Sequence, residues 1–211
     1  MSNKETPLIV VADAPSARAI EHAAKAAEKG LDIVARTGSY VSEVLGDLPH
    51  NLAGIVGDKV RSARRLRAIE LDEIYKAKLI ERGVTPEHPS LSVSVPLIEA
   101  AVDETRAGLK EVWENLLANA LDPRRCANVR IELIAALKKL NPTDAEVLAA
   151  LRARAPYTRV GFVGLPEALN REEAEIGMSI RYLAELGLVY ADDHNLRLSE
   201  KGLGLVAAVD P

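Results

Sequence analysis

The sequence predicts a mainly α-helical protein in three parts. These are an N-terminal helical region interrupted by glycines (1–57), a helical bundle (58–141) and a small winged helix-turn-helix domain with a short β-hairpin (142–211). Composition is the first reason: 32 alanines and 28 leucines against 3% aromatic residues favour helices packed through small and aliphatic side chains. Helical spacing of apolar residues through the middle of the chain is the second. The third is the order of elements after residue 142, which runs helix, strand, helix, helix, hairpin. With 211 residues, 48% of them apolar, the chain can bury a sizeable core as one large or two small domains.

Taking the elements in order, Pro15 and Ser16 open an Ala-rich helix over 15–29 that Gly30 stops. Residues 30–57 are poor in charge, and five glycines among the aliphatics predict short or kinked helices. A long charged helix follows over 58–82, with an expected buried stripe of Val60, Ala63, Leu66, Ile69, Ile74, Ala77 and Ile80. Three prolines in 83–96 imply an extended connection. Pro96 suits the first turn of a helix that carries Ile98, Ala101, Val102, Thr105, Leu109, Val112, Leu116 and Ala120 until Asp122-Pro123 stops it. Another helix fits 125–139, with Val129, Leu133, Ala136 and Leu140 on one face. Thr143 and Glu146 then form a capping box for the next, and Asn170 with Glu173 does the same for a helix ended by Gly187. Leu188–Ala191 and Leu196–Leu198 flank a polar turn as a hairpin, and Ser199 caps a terminal helix.

Charge narrows the partners. The net charge is −4, with 20 basic and 20 acidic residues over 1–141 and 7 against 11 over 142–211. The molecule as a whole has no electrostatic reason to coat nucleic acid or an anionic membrane. Within the long helix Arg61, Arg64 and Arg65 sit at i, i+3 and i+4, a candidate phosphate grip, yet Glu70, Asp72 and Glu73 follow at once and also fit a self-compensated solvated face. On the helix expected near 171–186, Arg171 and Arg181 could touch DNA, in an acidic surrounding that disfavours it.

The chemistry that is missing matters as much. The four histidines lie in four separate regions, and the lone cysteine, Cys126, excludes a multi-cysteine metal site or an internal disulfide, so neither metal nor cofactor is expected. No nucleotide-binding or hydrolase motif is present. The first apolar run, Leu8–Ala12, is too short for a secretion signal, and no segment has the roughly eighteen apolar residues of a membrane span. The expectation is a cytoplasmic protein that is not an enzyme.

One stretch carries more. WENLLANALDP at 113–123, continuing through ELIAALKKLNPTDAEVL at 132–148 and preceded by VPLIEAAVDE at 95–104, resembles the bacterial Abi-alpha (abortive infection alpha) family. The likeness covers about 90–205. It implies an association with abortive infection, in which an infected bacterium stops growing or dies before phage can spread, and it brings no catalytic residues. The residues it marks are Trp113, Asn115, Asn119, Asp122, Asn141, Pro142 and Asp144. Asn115, Asn119 and Asp122 form a polar line at i, i+4 and i+7, which fits either structural bonds near a helix end or a partner-binding face. The leading expectation is a regulatory protein that contacts another protein or a second copy of itself as a homodimer. The alternative is a winged-helix transcription regulator, and a growth-arresting effector motivated by segment 30–57 is third.

Overall fold

The computed structural model describes residues 39–46, 55–154, 160–161, 164–192 and 195–211. The helix expected over 15–29 and most of the 30–57 segment lie outside them. The described residues form nine helices: α1 (Tyr40–Gly46), α2 (Ile55–Glu81), α3 (Leu91–Asp103), α4 (Ala107–Leu121), α5 (Ile131–Leu137), α6 (Pro142–Arg154), α7 (Leu165–Leu169), α8 (Glu173–Glu185) and α9 (Glu200–Ala208). Three short strands, β1 (Val160–Gly161), β2 (Val189–Ala191) and β3 (Asn195–Leu198), make an antiparallel sheet in the order β1-β3-β2. The mainly helical class and the hairpin are as the sequence predicts.

α4 is the hub. It packs against α2, α3, α6 and α9, and every residue from Asn115 to Leu121 is buried. A helix surrounded on all sides must be apolar or internally satisfied all round, which is why its few polar residues matter. The buried residues form one connected cluster from Tyr40 to Ala208.

The long helix packs the opposite way to the sequence expectation. Its buried row is Ala68, Leu71, Tyr75 and Leu79, while Val60, Leu66, Ile69 and Ile80 are exposed, Leu66 by 69%. The buried row keeps an unbroken spacing of three and four, whereas the expected stripe jumps five residues between Ile69 and Ile74. Polar anchors hold the choice: buried Asp72 accepts bonds from the Val41 and Ser42 amides (3.0 and 3.3 Å) and the Ser42 hydroxyl (2.8 Å), pinning the start of α1.

The connection at 83–96 is shorter than expected, because helix resumes at Leu91 and Pro96 lies inside α3. Its missing N–H leaves the Ser92 carbonyl without the usual helical donor. The single helix expected from Pro96 to Asp122 is broken at 104–106 into α3 and α4. The helix expected over 125–139 is a 3₁₀ turn (Cys126–Asn128) followed by the shorter α5. Val129, Leu133, Ala136 and Leu140 are nevertheless all buried.

Both expected capping boxes are displaced. α6 begins at Pro142, and the reciprocal pair is Asn141 with Asp144: the Asn141 amide donates to Asp144 Oδ2 (2.8 Å) and the Asp144 amide to Asn141 Oδ1 (3.0 Å). Asn170 instead ends α7 in the left-handed conformation (φ 51°), and Glu172 stands before α8. At the far end of α8, Gly187 (φ 69°) turns the chain, with Leu188 N–H bonded to Leu183 O at 2.9 Å. Ser199 caps α9 as expected, accepting from the Gly202 amide at 3.0 Å.

Candidate functional site

The marked line on α4 meets a matching line on α2. Lys78 Nζ donates to Asn115 Oδ1 (2.8 Å), and Arg82 Nη1 donates to Asn119 Oδ1 (2.8 Å). Four residues separate the partners on each helix, so two turns of α2 register against two turns of α4. Asn119 also donates through Nδ2 to the carbonyls of Ala208 (2.7 Å) and Asp210 (2.8 Å). Asn119 and Asp122 have no exposed surface. Asp122 accepts from Arg124 through its amide (2.9 Å), Nε (3.2 Å) and Nη2 (3.3 Å), and lies 3.7 Å from Arg82 Nη1. Burial alone would raise the Asp122 carboxyl, but Arg124, with Arg82 behind it, holds it below the usual carboxylate range.

Trp113, 1% exposed, serves the elbow between α3 and α4. Its indole N–H donates to Glu104 Oε2 (3.3 Å), and Arg106 clamps the same carboxylate through Nε (2.9 Å), Nη2 (2.7 Å) and its amide (2.8 Å). Arg106 also reaches Leu140 O at 2.8 Å, which ties the elbow to the end of α5. These groups line a cleft of about 350 Å³ with Arg64, Asp103 and Lys138. Its charges are mostly matched in pairs.

Burial would push the Glu104 carboxyl up, but Arg106 and then Trp113 pull it below the usual range. A depressed folded-state pKa adds stability above the unfolded carboxylate pKa that disappears as pH falls through the folded value. Glu104→Gln is therefore expected to be less stable than the parent in urea at neutral pH. The gap should narrow as the solution is acidified below the carboxylate range; a gap independent of pH would rule out the ion pair as its source.

Asn141, Pro142 and Asp144 join the bundle to the last third of the chain. Pro142 Cβ occupies the space a side chain on Gly108 would need (3.0 Å). Asp144, fully buried, accepts from the Ser179 hydroxyl at 2.6 Å, so one carboxylate both starts α6 and fastens α8. Asp144→Ala is expected to cost about 2–3 kcal/mol, the sum of a lost cap and an unpaired buried hydroxyl. Chemical unfolding measures it, and a loss under about 0.5 kcal/mol, typical of a neutral surface change, would sink the assignment.

The arginines considered for nucleic acid differ in how far they are engaged within the chain. Arg64 is held by Asp103 through two bonds of 2.6 Å, and Arg65 is exposed. The Arg61 side chain lies outside the description. Arg171 pairs with Glu146 (2.9 and 3.1 Å) and Glu175 (3.4 Å), whereas Arg181 is exposed on α8. Sequence reasoning missed Lys78, Arg82, Arg124, Arg125, Glu104 and Arg106. Of these, only Lys78 and Arg82 repeat the four-residue spacing of Asn115 and Asn119, a spacing too common on solvated helices to single them out. Among the described residues no cluster of His, Cys, Asp and Glu could hold a metal ion.

A family model described as abortive infection alpha matches residues 66–203, from within α2 to within α9. The chain belongs to the Abi-alpha family. The match starts well before residue 90, so the α2 side of the polar register, Lys78 and Arg82, lies inside the Abi-alpha region as firmly as the α4 side. The family name associates the protein with abortive infection in bacteria. No curated protein and no solved structure matches it significantly. No helix among the described residues is long and apolar enough to cross a membrane.

Proposed function

We propose that this Abi-alpha protein acts in the bacterial cytoplasm as a non-enzymatic component of abortive infection, working through contacts with another protein. The family match across 66–203 carries the reading. Support for a binding rather than a catalytic role comes from the marked residues themselves. Asn115, Asn119, Asp122 and Asp144 are buried and bonded within the chain, so they hold a shape and leave recognition to other surfaces.

In this proposal residues 142–211 form a winged helix, supported by the β1-β3-β2 order with α7 and α8 between β1 and β2. The outer face of α8 and the hairpin present Met178 (65% exposed) and Tyr190 (53% exposed), with the Arg197 guanidinium 4.4 Å above the Tyr190 ring. An exposed methionine on α8 and a tyrosine stacked under Arg197 suit a protein surface better than a phosphate backbone, although Arg181 on α8 is exposed as well. The sheet order also favours a second reading, a DNA-binding regulator using Arg181 and Arg197. Steeply salt-dependent binding to promoter fragments would select it over the first. The exposed row on α2 is the face on which a homodimer would form, and light scattering at rising concentration tests that.

The deciding experiment is infection of a susceptible bacterium expressing the protein, at low and high multiplicity, with a varied phage panel. Fewer progeny with death of infected cells is the expected result. Wild-type phage yield across the whole panel would overturn the proposal.

A further inference from the structure

Three guanidinium groups converge at the C-terminal ends of α2 and α4. Arg82 arrives from α2, and Arg124 and Arg125 from the turn after α4. One carboxylate, Asp122, stands among them, and two guanidinium groups share the single Asn119 carbonyl oxygen, Arg82 at 2.8 Å and Arg125 at 3.3 Å. Arg125 otherwise donates only to the backbone carbonyls of Asp210 (3.0 Å) and Pro211 (2.8 Å). The Asp210 carboxylate is paired elsewhere, with Arg152. Glu87, whose amide bonds to Leu121 O at 2.9 Å, makes no ion pair with any of the three.

Three positive charges therefore face one carboxylate and the C-terminal ends of α2, α4 and α9, each end worth about half a negative charge, which leaves an excess of about half a charge. The strain shows in Arg82: burial and then Arg125 lower its pKa, Asp122 offsets this only in part, and Arg124 adds to the push. Unused donors remain. Arg82 Nη2, Arg124 Nη1 and Arg125 Nη2 have no acceptor among the described residues. Arg124 is 61% exposed on its side chain. Guanidinium forks arriving from three chain positions suit a tetrahedral oxyanion, since a planar carboxylate offers only two oxygens.

We infer that Arg82, Arg124 and Arg125 form a binding site for a phosphoryl group, held between the ends of α2 and α4 with Asp122 as the buried counter-charge that keeps the arginines in place. This goes beyond the defence reading and does not rest on it. The site differs from the Arg61, Arg64 and Arg65 cluster, in which Arg64 is already bound to Asp103.

The test is calorimetric titration of the full chain with inorganic pyrophosphate at low ionic strength, with acetate at equal ionic strength as the competitor. Saturable one-to-one binding is expected, weakened about tenfold or more by Arg124→Gln and unchanged by Arg181→Gln on α8. Arg124→Lys, which keeps the charge and removes the fork, should recover only part of the affinity. Arg124 is exposed enough for these variants to fold, and their thermal melts verify it. Parallel titrations with adenosine triphosphate and a 5′-phosphorylated oligonucleotide distinguish the source of the phosphoryl group, whichever binds tightest. Absence of saturable binding to all three, equal binding by Arg124→Gln, or equal displacement by acetate would each overturn the inference.

Discussion

Gly202→Ala is expected to lower the unfolding free energy by about 3 kcal/mol, at the upper end of what forcing atoms into a packed site costs. A Cβ on Gly202 would lie 2.0 Å from the carbonyl oxygen of Leu188 and 3.0 Å from its carbon. Backbone cannot yield as a side-chain tip does. That carbonyl already accepts the Ser199 amide at 3.0 Å, and Ser199 donates its hydroxyl to Gly187 O at 2.6 Å while capping α9. Moving α9 outward would break this set of bonds together. The melting temperature should fall by about 6 to 12 °C for a chain of this length. Gly204→Ala in the same helix is the control: its nearest neighbour would be Leu133 Cδ1 at 3.9 Å, an ordinary contact. There the substitution should stabilise by about 0.5–1 kcal/mol through helix propensity. A Gly202→Ala protein as stable as the parent would mean that α9 is free to shift.

Asn119→Ala should cost a similar amount, about 3 kcal/mol. It strips hydrogen-bond partners from two carbonyls and two guanidinium groups around a side chain that has no exposed surface of its own. The loss should also be local. Amide hydrogen exchange in α9 should rise more than in α2, because the Ala208 and Asp210 carbonyls lose their tie to α4 while the packing of α2 against α4 survives. A uniform rise over the whole chain would show that Asn119 supports the bundle at large rather than this seam.

Local signals in the sequence were legible wherever geometry is fixed by neighbours in the chain. The hairpin, the Gly187 turn and the Ser199 cap depend on contacts within a few residues, and all are present. Reading failed where distant residues arbitrate. α2 offers two apolar rows, and packing against α1, α3 and α4 selected the one carrying Asp72 and Tyr75. The break at 104–106 has no proline or glycine to announce it. It arises because Glu104 turns to accept Arg106 and Trp113. Likewise Asn141 outcompetes Thr143 as a cap, because the Thr143 hydroxyl is drawn to Glu175 on α8 (2.5 Å). Of the candidate site, the α4 line could be read from its spacing, but its α2 partners could not, since a cation four residues from another is commonplace on any solvated helix.

The Asn119 bonds to Ala208 and Asp210 span 89 and 91 residues. During synthesis, α4 emerges from the ribosome long before the carbonyls that complete it. Until residues 208–210 have emerged, its buried amide must stay hydrated or find other partners, and closing so long a loop carries an entropic cost that contacts between nearer helices do not share. α9 thus completes the environment of α4, and a nascent chain stalled before α9 should remain open to protease at its centre even though eight of its nine described helices have been made.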